Sequence, residues 1–179
     1  MERMGFHERW IGLVMHCIST ISYSVLINGV AYGSIIPTRG LRQGDPLSSY
    51  LFLLCANGLS SLINNAARNQ RLSGISMCKG CPMITHLFFA NDSLLFCKAS
   101  RQECQQLVEI LQLYDAASGQ KVNIDKSSVF FSHNAPESLK NEVLNVLRPM
   151  QNSRHCEYLG LPTIIGKSKI EVLQKLKRE

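Results

Sequence analysis

Charged residues are scarce in this chain, and the scarcity excludes whole classes of protein. Only 18% of the 179 residues are charged while 45% are hydrophobic, so the chain is no disordered tail and has the material for a sizeable core. An apolar leader is missing too. The opening "MERMGFHERW" carries charges of both signs where a secretory signal is apolar, and no apolar run reads as long enough to span a bilayer. These absences predict a soluble, intracellular chain, nuclear or cytoplasmic, with no membrane partner. Internal repeats, low-complexity segments and clear linkers are also lacking, so the expectation is one mixed α+β domain over residues 1–179.

Acidic charge is the other deficit. Thirteen acidic residues face nineteen basic ones, a formal charge of +6, which suits polyanionic partners without naming one. Cysteine is not scarce, but the seven are odd in number and most lie in apolar stretches, where a free thiol behaves as a small hydrophobe. The pair in "CKGC", Cys78 and Cys81, has zinc-ligand spacing, yet no second such pair follows to complete a tetrahedral site. The favoured reading is a Gly-containing turn with incidental thiols.

What is present follows the periods of regular structure. Residues 3–19 place Met4, Trp10, Ile11, Val14, Met15 and Ile18 at near-helical spacing, with nothing to cap the helix start. "ISYSVLING" and "VAYGSIIP" are β-rich runs joined at Asn28-Gly29, a strong hairpin signal. After the polar loop "TRGLRQGD", Asp45 and Pro46 supply an N-cap and a first-turn proline for a helix carrying Leu47, Tyr50, Leu51, Leu54, Leu62 and Ile63 to about Arg68. A β section over residues 73–99, a helix over 101–118 ending at Gly119, a strand pair within 122–132, a helix over 136–147, a strand near 156–159 and a helix over 169–177 complete the reading.

Two stretches carry chemistry. In "THLFFANDSLLFCKA" two apolar runs flank Asn91-Asp92, which reads as a rigid hairpin with polar residues at its tip and strands buried on both faces. Acidic groups at such a tip can ligate Mg²⁺, a hard cation that prefers oxygen. Asn-Asp is equally good turn chemistry, because both residues tolerate positive φ and bond their own backbone. In "RGLRQGDPL" two arginines, two glycines and a glutamine precede a helix N-terminus, where backbone N–H groups and guanidinium groups converge on phosphates. The plain alternative is a polar loop before a well-capped helix.

"SVLINGVAYGSIIPTRGLRQGDPLSSYLFLL", "ITHLFFANDSLLFCKAS", "YDAASGQKVNIDKSSVFFS" and "YLGLPTIIGKSK" occur here in the order found in reverse transcriptases of non-LTR (LINE-type) retrotransposons of plants, which the chain resembles over nearly its whole length. The resemblance implies a polymerase palm: an antiparallel sheet packed with helices, with partial fingers and the start of the thumb connection, and a palm core over about residues 20–165. It implies that Arg39, Gly40, Gln43, Gly44 and Pro46 position template and incoming nucleotide, with Ser49 where the family has proline, and that Lys126 in "GQKVNIDKS" meets the nucleotide phosphates. "YLGLP" falls in the primer-grip region.

The family's metal-binding hairpin is "FADD". Here it reads Phe89-Ala90-Asn91-Asp92, so the first aspartate is an amide and Asp92 alone keeps its charge. Asn57 stands where relatives commonly have Glu. The third catalytic carboxylate of the family lies upstream of the "MGF...W" helix in which these residues begin, so the resemblance implies an N-terminally truncated fragment. The reaction it implies is attack of a primer 3′-hydroxyl on the α-phosphate of a dNTP, copied from an RNA template and held as an RNA/DNA hybrid, with two Mg²⁺ ions and pyrophosphate leaving. With an amide at position 91 the expectation is an inactive copy, or a nucleic-acid-binding module that keeps the fold without catalysis.

Overall fold

The computed structural model describes residues 1–38, 40–148, 150–152, 157–158 and 161–162. The expected helix over 169–177 lies outside them. The chain divides into two compact units, Met1–Leu54 and Cys55–Glu179.

In the first unit the helix α1 (Glu8–Ser19) starts later than its apolar spacing predicts. Gly5 is in the left-handed region (φ 81°) and ends a short 3₁₀ turn at Glu2–Met4. The start is capped after all: His7 Nδ1 accepts the Arg9 N–H at 3.2 Å. Strands β1 (Tyr23–Ile27) and β2 (Val30–Ile35) form the expected hairpin, with Asn28 (φ 50°) and Gly29 (φ 81°) as its two turn residues.

The helix α2 (Pro46–Arg68) begins in the first unit and ends in the second. Asp45 caps it as expected, Oδ1 accepting the Leu47 N–H at 2.8 Å. One sequence expectation is corrected here. No charge interrupts the chain from Pro46 to Ala67, and this helix of 23 residues is long and apolar enough, by length and composition, to cross a bilayer. The serines and asparagines within it hide that length from an eye seeking an unbroken apolar run.

The second unit holds the core. Leu59, Ile63 and Ala66 recur along one side of α2 and pack with Leu72 and with Leu107, Ile110 and Tyr114 of α3 (Arg101–Ser118). Ile63 is 0% exposed. Ser100 caps α3 through its hydroxyl, and Gly119, at φ 72°, closes it with a 2.7 Å bond from its N–H to the Asp115 carbonyl. The helix α4 (Glu137–Val146) packs on α3 and buries Val143. Gly74 admits no other residue: at φ 61° a Cβ there would stand 2.6 Å from the Ile84 carbonyl oxygen, across the Ile75–Ile84 bridge.

Strands β3 (His86–Phe89) and β4 (Asp92–Leu95) form an antiparallel hairpin. The expectation of burial on both faces fails. Phe88 and Leu95 lie against the core, but Leu87 is 45% and Phe89 60% exposed. No third strand joins this pair among the described residues, so only the row facing the helices is covered. The architecture is α+β, helices with small two-stranded sheets rather than one continuous palm sheet among the described residues.

The strand pair expected within 122–132 is also corrected. Ile124–Lys126 is a 3₁₀ turn, and β5 (Ser128–Val129) pairs in parallel with β6 (Gln151–Asn152). Beyond it β7 (Glu157–Tyr158) pairs with β8 (Leu161–Pro162). The "CKGC" segment is a tight turn, with the Cys81 N–H donating to the Cys78 carbonyl at 3.1 Å. Its thiols are not incidental, since Cys78 and Cys81 are joined as a disulfide.

Candidate nucleotidyl-transfer hairpin and loop

The hairpin apex is shifted by one residue from its sequence reading. Phe89 pairs with Asp92, so the two turn residues are Ala90 and Asn91, and Asp92 is the first residue of β4. Ala90 takes φ 47°, a left-handed value at the first central position of the turn, where type II′ geometry normally uses glycine. Asn91 and Asp92 are both exposed, and among the described residues neither side chain has a hydrogen-bond partner. The self-bonding turn chemistry open to Asn-Asp is therefore unused.

Alternation along the strands assigns the hairpin two faces. His86 and Phe88, with Leu95 opposite His86, line the inner face, while Leu87, Phe89 and Asp92 line the outer one. Asp92 thus stands beside exposed Phe89 with its carboxylate toward solvent.

The inner row carries a polar chain that sequence reasoning missed. His86 Nε2 lies 2.8 Å from Ser60 Oγ on α2, His86 Nδ1 lies 2.9 Å from Thr85 Oγ1, and Asn64 Nδ2 donates to Ser60 Oγ at 3.3 Å. Burial lowers the His86 pKa, favouring the neutral ring with one donor and one acceptor nitrogen. Only the histidine amid apolar neighbours in "ITHLFF" signals this in sequence; its partner is 26 residues away.

The exit from β4 is clamped by Glu103. Its Oε2 accepts the Ser73 N–H at 2.9 Å and the Lys98 N–H at 3.0 Å, and its Oε1 accepts the Ser73 hydroxyl at 2.6 Å. Burial pushes the Glu103 carboxyl up, but these hydrogen bonds together outweigh it and hold the group below the usual carboxylate value.

The loop before α2 belongs to the first unit. Gly40 (φ 89°) and Gly44 (φ 81°) turn the backbone there, Arg42 and Gln43 are exposed, and Pro46 opens the helix; Arg39 lies outside the described residues. In the second unit Lys126 closes the 3₁₀ turn, exposed, its backbone N–H held by Asn123 Oδ1 at 3.3 Å. Ahead of it the Tyr114 hydroxyl donates to Gln120 Oε1 at 2.7 Å, fixing the start of "GQKVN" to α3. No described contact links Lys126 to Asp92. Asn57 is exposed on α2.

Comparison with known proteins gives two results. Residues 1–163 match the family model of the reverse transcriptase (RNA-dependent DNA polymerase). An uncharacterized mitochondrial protein of Arabidopsis thaliana is 52% identical over 68 residues, 38% of this chain and 56% of that protein. The chain thus spans a little over half the length of that curated relative.

Proposed function

Because the chain belongs to the reverse transcriptase family, we propose that it is a catalytically silent copy of the polymerase of a plant non-LTR (LINE-type) retrotransposon, a single domain whose palm core covers about residues 20–165. The observation that carries this reading is Asn91. Beside Asp92 the hairpin offers one carboxylate and one amide, and no three His, Cys, Asp or Glu side chains cluster to hold a metal ion among the described residues. Mg²⁺ as the family uses it needs anionic oxygen ligands, and an amide oxygen brings no charge to offset a pair of such ions. The donor set does not fit the metal pair, so no transfer step is assigned to this site.

The test is dNTP incorporation on a primed RNA template in Mg²⁺ by the purified chain. The expected result is none; incorporation above a no-enzyme control overturns the reading.

A second reading, a retained nucleic-acid-binding module, is favoured by the net charge of +6 and by exposed Arg42 and Lys126, which make no ion pair among the described residues. It requires RNA affinity that falls with salt and needs neither Mg²⁺ nor dNTP.

A further inference from the structure

Two thiols outside the residues discussed so far are held within reach of each other. Cys97 follows β4 and Cys104 lies just inside α3, and their Sγ atoms stand 4.0 Å apart. Hydrogen bonds on either side hold this approach in place. The Phe96 N–H donates to the Thr85 carbonyl at 2.8 Å, carrying the hairpin ladder one residue past β4. Glu103 then binds the Lys98 N–H, and Ser100 caps the helix, so the connection is fixed on both sides of Cys97. Cys104 is 1% exposed, whereas Cys97 is half-buried and reachable from solvent.

The two sulfurs are also chemically unequal. The contact with Cys97 lowers the Cys104 pKa, burial opposes this, and a Ser100 backbone hydrogen bond near the helix start assists it. The same contact, with burial, raises Cys97. The thiolate form is favoured on Cys104 relative to Cys97, and either sulfur can donate across the contact.

We propose that Cys97 and Cys104 form a reversible thiol–disulfide modification site, oxidised by small-molecule disulfides, whose closure fastens the exit of the Asn91–Asp92 hairpin to α3. In the first step Cys97, the solvent-reachable sulfur, loses its proton to solvent and attacks one sulfur of the external disulfide as the thiolate. That S–S bond breaks, and the external thiolate that leaves takes up a proton from solvent. Cys104 then releases its own proton and, as the thiolate, attacks Cys97 Sγ in the mixed disulfide, expelling the second external thiolate, which is protonated by solvent. Two protein thiols are oxidised and one external disulfide is reduced to two thiols. Cys17 and Cys55 are free and exposed, with no thiol contact described, and serve as internal controls.

The experiment incubates the purified full chain with oxidised glutathione, blocks remaining thiols and maps tryptic peptides without reduction. Trypsin puts Cys78 on residues 72–79, Cys81 with Cys97 on 80–98 and Cys104 on 102–121, and a chymotryptic cut after Phe88 or Phe89 separates Cys81 from Cys97. The expected result is that 80–98 and 102–121 are joined through Cys97 and Cys104, with 72–79 held on Cys81, and that dithiothreitol releases all three. Glutathione should meanwhile remain on Cys17 and Cys55. In Cys104→Ser the adduct on Cys97 has no resolving partner and should accumulate about tenfold over the unaltered chain. Three results in the unaltered chain overturn the proposal: glutathione retained on Cys97 as on the controls, Cys97 unmodified while the controls react, or Cys97 joined to Cys78 or Cys81. Because the decisive map uses the unaltered chain, it stands even if the variant fails to fold.

Discussion

Ser60 on α2 and His86 on β3 share a 2.8 Å hydrogen bond that seats the inner edge of the hairpin on the helix. Burial lowers the His86 pKa below its ordinary value of 6.5, so between the two values the unfolded chain binds more protons than the folded one. The stability this contributes is fully present above pH 6.5 and is lost as pH falls below it toward the folded value. Thermal midpoints measured from neutral pH downward should decline across that window, and the decline should be shallower in His86→Gln. Identical slopes for the two proteins refute the assignment.

Glu103 acts in a lower window. Its folded pKa is depressed, so its contribution is present above the ordinary carboxylate value of 4.5 and is lost as pH falls through the folded value. Glu103→Ala, which strands the Ser73 and Lys98 donors, should cost about 1–3 kcal/mol in urea unfolding at neutral pH. Glu103→Gln should cost less and flatten the acid limb.

Ala90 occupies a left-handed conformation that costs a residue with a Cβ about 1–2 kcal/mol, whereas glycine adopts it freely. Ala90→Gly should therefore stabilise the chain by about 0.5–1 kcal/mol after the added flexibility of the unfolded state is subtracted. An unchanged or lower urea midpoint argues against the strained turn.

Asn91→Asp places a second carboxylate beside Asp92 without disturbing any hydrogen bond described for the hairpin. Mg²⁺ titration followed by amide NMR shifts of residues 90–93 should show tighter binding in this variant than in the unaltered chain, and Asp92→Asn should abolish the response. Equal response in all three proteins places the ion elsewhere.

Arg42→Ala with Lys126→Ala should weaken RNA binding and lower the salt slope by about one unit for every phosphate that the two side chains neutralise. A slope unaffected by both changes assigns the binding surface to other residues.

The features legible in sequence are those enforced by neighbours along the chain. Asn28-Gly29 turns a hairpin, Asp45-Pro46 starts a helix and Gly119 ends one because each signal acts within a few residues. Misread features depend on distant partners or on a single step of register. The partner of β5 is β6, more than twenty residues on, so a local strand pair is the natural but mistaken reading of 122–132. The hairpin's apolar strands suggest two covered faces, since sequence does not reveal that no third strand joins them among the described residues. At the candidate site, composition points to Asn91 and Asp92, but only the register with Phe89 assigns one to the turn and the other to the strand. The Ser60–His86 and Cys97–Cys104 pairs are tertiary and have no local signature strong enough to single them out.

The packed row of the hairpin and its exposed tip bear on folding differently. A change at Phe88 or Leu95 is felt at once as poorer packing in the core, so such a variant is removed through misfolding whether or not the protein has any activity. A change at Asn91 or Asp92 reaches solvent and any ligand there, and leaves the packed interior untouched. Genetic drift can thus erase the chemistry of this hairpin while its architecture persists, and a lineage released from catalysis would keep folding long after it stopped copying.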